Sequence, residues 1–395
     1  MKIVHIAHYF LEEYGYQDTL LPVTHAQLGH EVTVISTQQG AGAYYFKVNP
    51  ELLAQKKPYY YKGCNIIRLP LKQKVNYRFA RYKGLYECLT EESPDLIFFH
   101  EIPYLNYIDI IKYVKRFHCK LFVDFHCDYI NSGKSVFSHF FLHKIFYRFI
   151  LSMVNKYVDL YYGITPGTIT FIKKMYKIPV NKIKLLPLGG VVDDDIFVTK
   201  DFVRAKMRQE LGILDSDKLI VTAGKIDRKK NTHNLIAAVD SLKNPFVHLA
   251  IIGTFEENYY KEFESIITYN QTIHVLGWKS PEEINQYFLA SDIACFPGEQ
   301  SALWQQAICC GLPLLCRYWA GEGTEYLDRG GNVQFLYDGS IIEIRKNIEK
   351  LLIHNTEKLQ SMREVASTNG TYYFSYANIA QSIVDDFEKH KEDIC

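Results

Sequence analysis

Ser291-Asp292-Ile293-Ala294-Cys295-Phe296-Pro297-Gly298-Glu299-Gln300-Ser301-Ala302-Leu303-Trp304-Gln305-Gln306-Ala307-Ile308-Cys309-Cys310-Gly311-Leu312-Pro313-Leu314-Leu315 is the stretch on which the fold turns. Ile293 to Phe296 is a short apolar run of the kind that forms a buried parallel strand. Pro297-Gly298 ends it. Ser301 is placed to cap a helix whose apolar positions, Leu303, Ala307, Ile308 and Cys310, recur at helical spacing. Gly311 suits the C′ position of that helix, and Leu312-Pro313 opens another strand. The segment thus reads as strand, loop, helix, strand. Its loop, Gly298 to Ser301, falls where a strand's carboxyl end meets a helix start, a corner that offers N–H groups to a phosphate.

The same alternation extends in both directions. Residues 2–7, 31–36, 95–100, 120–124 and 159–164 read as strands in the first half, with Cys64 to Leu69 as a further candidate. Residues 218–224, 247–253, 272–278 and 333–336 read as strands in the second. Helical patterns separate most of them, which predicts two Rossmann-like parallel α/β domains. The boundaries expected are 1–195 and 200–370, with a last helix at 376–395 that, by the resemblance described below, is expected to cross back onto the first domain. Residues 41–64, polar and rich in Tyr, read as an insertion or flexible loop.

The chain has 395 residues, enough for two or three cores. Its formal charge of +1 gives a nucleic-acid partner no global electrostatic support. Nine Cys, several inside apolar runs, suit reduced thiols and a cytoplasmic setting. No apolar run is long enough to span a membrane. A dinucleotide-binding domain is the rival at the first strand, and what weighs against it is that Gly-x-Gly-x-x-Gly is missing and the second strand ends in Ser36-Thr37 with no acidic residue for a ribose.

Gln306-Ala307-Ile308-Cys309-Cys310-Gly311-Leu312-Pro313 resembles the donor-site helix of retaining GT-B glycosyltransferases of the family-4 type, which reads Glu-Ala-Met-Ala-Cys-Gly-Leu-Pro. Gln306 stands where that family has Glu. The family's earlier Glu falls on Gly298, one position before Glu299. Gly224-Lys225-Ile226-Asp227-Arg228-Lys229-Lys230 resembles its Gly-Arg…Lys signature, with Lys225 and Lys230 at the cationic positions. Two such cations can hold the charge of a leaving nucleoside diphosphate without a metal. The alternative is a solvated basic turn.

The resemblance implies a fold of two Rossmann-like domains facing each other across a cleft. It also assigns roles. His126, Lys225, Lys230 and Glu299 would be catalytic. Gly15, Tyr16, Gln17, Gly253, Trp278, Gln300, Ser301, Ala302, Leu303 and Gln306 would bind the donor, with the first unit's Gly-Tyr-Gln loop letting backbone approach it. Gly321-Glu322-Gly323-Thr324-Glu325 is similar to a family segment that passes the diphosphate. Asp18 and Asp128 are candidates for the acceptor side, Asp128 also for orienting His126. Asp124-Phe125-His126-Cys127-Asp128 admits a zinc reading, but no second cluster of ligand spacing accompanies it. No metal is expected.

The function implied is a metal-independent, retaining glycosyltransferase taking a nucleotide-sugar, expected to be a UDP-sugar, to a saccharide or lipid-linked acceptor in surface polysaccharide synthesis. A non-catalytic sugar-nucleotide-binding subunit and a sugar-nucleotide epimerase are the alternatives. Val136 to Ile150, aromatic and interleaved with cations, is expected to lie on a membrane surface, with Tyr77 to Lys83 as a neighbour. Burial between domain layers is the competing reading.

Overall fold

The computed structural model describes residues 1–8, 10–12, 15–38, 57–72, 79–101, 104–132, 135, 138–192, 198–256, 258–321 and 323–392. Expectations placed on residues 13–14, 41–56, 77–78, 136–137, 322 and 393–395 lie outside these. The chain divides into two compact units, Met1–Pro187 with Ile379–Cys395, and Leu188–Asn378.

Eight strands build the first unit's sheet: β1 (Lys2–Ile6), β2 (Glu31–Thr37), β3 (Tyr59–Tyr61), β4 (Cys64–Leu69), β5 (Leu96–His100), β6 (Lys120–Phe125), β7 (Leu160–Gly163) and β8 (Ile183–Leu185). Their order is β3-β4-β2-β1-β5-β6-β7-β8. Every neighbouring pair is parallel except β3 with β4. The inner strands are buried along almost their whole length, which is why they read as unbroken apolar runs. One face packs Val4, Ile6, Ile97, Phe99, Leu121 and Val123 under helices Leu85–Glu92 and Tyr107–Phe117.

The β3–β4 pair corrects the loop expected over residues 41–64 in its described part. Tyr59–Tyr61 folds back on Cys64–Leu69 through Lys62 and Gly63, whose φ angles are 45° and 86°. Two successive positive φ values make the tight antiparallel turn whose twist matches its strands.

In the second unit the strands are β9 (Lys218–Ala223), β10 (Val247–Ile252), β11 (Ile273–Gly277), β12 (Ile293–Phe296), β13 (Leu314–Arg317) and β14 (Val333–Leu336). All pair in parallel, in the order β11-β10-β9-β12-β13-β14. Side chains alternate across this sheet. Leu219 and Val221 enter one core with Trp304 and Phe374, while Ile220 enters the other with Leu235 and Ile344. Helix Pro281–Ala290 starts at a reciprocal cap: Glu283 N–H donates to Ser280 Oγ, and Ser280 N–H donates to the Glu283 carboxylate.

Both sheets reverse direction of strand addition once. In the first unit this happens between β1 and β5, and in the second between β9 and β12. Crevices at the carboxyl ends of such strand pairs are where open α/β sheets bind ligands.

Candidate active site

In the second unit, the loops after β9 and β12 carry Lys225, Lys230, Glu299, Gln300, Ser301 and Ala302, and they are locked together. Gly298 makes the approach possible. A Cβ there would lie 2.2 Å from the Lys229 carbonyl oxygen. Glu299 N–H donates to that same carbonyl at 2.9 Å. Lys230 Nζ, partly buried, donates to the carbonyls of Glu299 at 3.1 Å and Gln300 at 2.6 Å. Burial lowers the Lys230 pKa, against the opposing pull of Asp227 and Glu299. Asn231, in the left-handed region at φ 56°, donates to the carbonyls of Pro297 and Gly339, tying in the turn after β14. At β10, Gly253 takes φ 137°, and a Cβ there would stand 1.8 Å from the Gly224 carbonyl oxygen.

What these loops present is cationic and rich in donors. Lys225 is exposed and its ammonium makes no hydrogen bond among the described residues. The N–H groups of Gln300, Ser301 and Ala302 also donate to none of the described residues. The Glu299 carboxylate is partly buried and accepts no hydrogen bond among the described residues, though it acts electrostatically on Lys230. Trp319, not anticipated from the sequence, reaches the Gly298 carbonyl through its indole N–H at 3.4 Å. Trp278, at the end of the edge strand β11, is 67% exposed.

Three details correct the sequence reading. The helix Leu303–Cys309 is capped at Ala302, not Ser301; Ser301 Oγ instead accepts from Leu303 N–H at 3.3 Å. Lys230 grips the neighbouring loop with two donors, so at most one of its three remains for a phosphate. Gln306 pairs with main chain: its Oε1 accepts from Val191 N–H at 2.8 Å, and its Nε2 donates to the Val191 carbonyl at 3.0 Å. Both ends of the amide therefore pair with the Val191 backbone, which leaves one lone pair for a ligand.

In the first unit, acidic and imidazole groups gather at the carboxyl ends of β1, β5 and β6. Asp124, fully buried, is the hub. Its Oδ2 accepts from Gln17 Nε2 at 3.4 Å and meets His100 Nδ1 at 3.0 Å and His126 Nε2 at 3.4 Å. Burial alone would raise its pKa, but the His100 and His126 imidazoles hold it well below the usual carboxylate range. Burial opposes the charge on His126, yet Asp124, helped by Asp18 and Glu101, raises that imidazole to about 9. Its side chain is still 37% exposed.

Asp124 is the carboxylate that pairs with His126. Asp128 Oδ1 closes its own turn, accepting from Ile130 N–H at 2.8 Å and Asn131 N–H at 2.6 Å. Gln17 lies buried and turned inward to Asp124, whereas Gly15 and Tyr16 are exposed at the helix start. Asp18 Oδ1 lies 3.7 Å from His100 Nδ1. Asp18, His100 and His126 each place one potential ligand atom within 4.8 Å of the others. A cation held there would have to displace the His100–Asp124 hydrogen bond. His5, His25 and His100 were not singled out from the sequence; a polar ring inside strands as apolar as β1 and β5 is the signal that could have found His5 and His100, whereas His25 lies on the helix Gln17–Gln27.

Residues 203–369 match the family described as Glycosyl transferases group 1. Among curated proteins none matches the chain. Several solved structures do. HepE from Anabaena, solved in complex with UDP, is 18% identical with a TM-score of 0.72, covering 98% of this chain and all of its own. A glycosyltransferase from Rickettsia africae is 14% identical with a TM-score of 0.69 over 98% of each chain. A putative UDP-N-acetylglucosamine 2-epimerase from Listeria monocytogenes is 13% identical with a TM-score of 0.61, over 99% of this chain and 97% of that one. These likenesses show the fold, the GT-B type with two parallel-sheet domains. The family match supports a glycosyltransferase.

Proposed function

We propose that this chain is a retaining glycosyltransferase that moves a sugar from a nucleotide-sugar, a UDP-sugar, to a saccharide or lipid-linked acceptor in surface polysaccharide synthesis. The observation that carries the reading is the second unit's switch-point pair of loops. An exposed ammonium at Lys225 and the unengaged N–H groups of Gln300, Ser301 and Ala302 lie on the loops that meet through Gly298 and Lys230, inside the segment matching the glycosyl transferase family. UDP in the similar Anabaena structure supports the choice of base.

Charge develops on the departing diphosphate as the glycosidic bond breaks. Fixed donors that match this charge lower the barrier, and no proton need be moved by the loop itself. In a front-face retaining reaction the leaving phosphate oxygen takes the acceptor's proton. His126 is the proposed donor of a hydrogen bond to a substrate hydroxyl, and Asp18 and Glu299 are the carboxylates proposed to position hydroxyls. No metal is assigned to these steps.

The lipid-linked acceptor is proposed from the helix Ser138–Tyr147 and its continuation Arg148–Val154. His143, Tyr147 and Leu151 line its buried side, whereas Phe141, Ile145, Phe149 and Met153 are 50–61% exposed on the other. Lys144 and Arg148 stand among them, which fits an anionic lipid surface. Among the described residues no helix is long and apolar enough to cross a membrane.

Incubation with radiolabelled UDP-glucose and UDP-N-acetylglucosamine, with and without oligosaccharide and polyprenyl-linked acceptors, tests the proposal. Acceptor-dependent label transfer with retained anomeric configuration is expected. Epimerised donor would favour the epimerase, and UDP binding without turnover would favour a non-catalytic subunit.

A further inference from the structure

Three buried histidines of the first unit lie in series between two groups that only accept hydrogen bonds. His25 Nε2 is 3.3 Å from the Ala380 carbonyl oxygen. His25 Nδ1 is 3.0 Å from His5 Nε2, and His5 Nδ1 is 3.2 Å from His100 Nε2. His100 Nδ1 then meets Asp124 Oδ2 at 3.0 Å. His5, His25 and Asp124 are 0% exposed and His100 is 4% exposed, so water does not supply alternatives.

Counting protons settles the polarity. The series contains four hydrogen bonds, and each needs one proton. Three neutral imidazoles bring only three. The Ala380 carbonyl cannot donate, so His25 must carry its proton on Nε2 and accept on Nδ1. His5 must therefore donate from Nε2 and accept on Nδ1. His100 must donate from Nε2, and the last bond still lacks a proton. Asp124 Oδ2 also faces the Gln17 amide N–H and His126, so a proton on that oxygen would oppose two further donors.

We propose that His25, His5 and His100 form a one-way hydrogen-bond chain that obliges His100 to be an imidazolium, fixing Asp124 as the carboxylate that aims His126. His5 and His25 are then positioning residues, acting on His126 through His100 and Asp124. The groups facing the chain agree. Asp18 lies beside His100 from the helix Gln17–Gln27, and His126 shares Asp124. Near the far end lies His30, its ring 6.3 Å from that of His25. The pKa directions follow the same pattern. Burial, then His25 and His100, push His5 well down. Burial takes His25 to about 3. His100 is raised, because Asp124 and then Asp18 outweigh the cost of its burial.

Nitrogen NMR of the full ligand-free chain, labelled in histidine, tests this directly. Couplings across N–H···N bonds should link three rings in sequence, the first two neutral with the proton on Nε2. The third should be doubly protonated at pH 7, above the ordinary imidazole value of about 6.5. His25→Gln can accept from His5 and donate to Ala380, so it should keep that imidazolium. His25→Leu ends the series at His5, which frees His5 to turn its proton toward His100; the imidazolium should then be lost at pH 7. Three neutral rings in the unsubstituted chain, or an imidazolium unchanged in folded His25→Leu, would overturn the proposal. Should His25→Leu fail to fold, the unsubstituted chain and His25→Gln still decide it.

The consequence for His126 rests on its proposed substrate role. There the transfer rate in His25→Leu should lose its alkaline limb at lower pH, with His25→Gln like the unsubstituted chain. The spectrum is read without ligand, so it stands or falls independently of glycosyl transfer.

Discussion

The ammonium of Lys230 lies 2.6 Å from the carbonyl oxygen of Gln300, across two loops separated by 70 residues. A cation at this position holds a binding loop in shape before it holds any ligand. Lys225, five residues earlier, is exposed and makes no such bond. The two lysines should therefore fail differently. Lys230→Met should destabilise the second unit by about 1–3 kcal/mol, because two partly buried carbonyls lose a charged donor. Lys225→Ala should leave stability within about 0.5 kcal/mol but weaken UDP binding by about 1.5–3 kcal/mol. Thermal melts and UDP titrations on both chains check this, and identical behaviour of the pair would refute the division of roles.

Gln306 should tolerate no carboxylate. Its amide both accepts from and donates to the backbone of Val191. Gln306→Glu keeps the acceptor, loses the donor, and sets an anion against the Val191 carbonyl. A loss of about 1–3 kcal/mol is expected, with no gain in UDP affinity. Denaturant midpoints followed by tryptophan fluorescence suit the measurement, since Trp278, Trp304 and Trp319 all lie in the second unit. Tighter UDP binding by Gln306→Glu would restore the ribose role.

The stability of the first unit should peak near pH 6.5. Burial depresses His8 to about 4 and His25 to about 3. Unfolding lets both titrate near 6.5, so below that pH the unfolded chain binds more protons and stability falls toward the folded values. His126 is raised to about 9, Asp124 outweighing the burial that opposes its charge, so it acts in the opposite sense. Its contribution is whole below about 6.5 and is lost as pH rises through 9. The two buried groups, His8 and His25, each contribute a slope of up to about 1.4 kcal/mol per pH unit within their windows, and the partly exposed His126 contributes less, because solvent screens it. Denaturation followed by circular dichroism should show both limbs, and His126→Gln should flatten the alkaline one. An alkaline limb unchanged by that substitution would contradict the assignment.

Phe141 and Phe149 are 53% and 61% exposed, which separates folding from docking. The double substitution to Ser should leave the thermal midpoint unchanged, since little packing is removed. Binding to vesicles of phosphatidylglycerol should fall sharply. In the unsubstituted chain it should weaken with salt, since Lys144 and Arg148 would each add about 1 kcal/mol at an anionic surface. Absence of vesicle binding at low salt would reduce the aromatic face to an ordinary surface.

Strand positions were largely legible because parallel strands buried on both faces leave unbroken apolar runs; Val247–Ile252 and Leu96–His100 lie where those runs do. The two switch-point loops of the second unit were legible too, since Gly224 and Gly298 mark turns after such runs. Side-chain partners were not. Gln306 meets a backbone 115 residues away, and His5 meets His100 across 95 residues. Nothing local to either residue encodes such a partner. The Tyr59–Tyr61 hairpin was missed for another reason: Lys62-Gly63 is a weaker turn signal than Asn-Gly or Asp-Gly.

The first unit is not contiguous in the chain. Tyr162 donates to Asp386, and His25 takes its final hydrogen-bond partner from Ala380. Both acceptors lie beyond the entire second unit. During synthesis, at roughly 5–20 residues per second, the first sheet must wait some tens of seconds for this last helix. Through that interval His25 has no carbonyl to orient it, and the apolar seat of Ile379 and Ile383 stays wet. The nascent first unit thus keeps apolar surface in water until the helix arrives, and shortening the chain before Ile379 should leave the second unit folded and the first one incompletely packed.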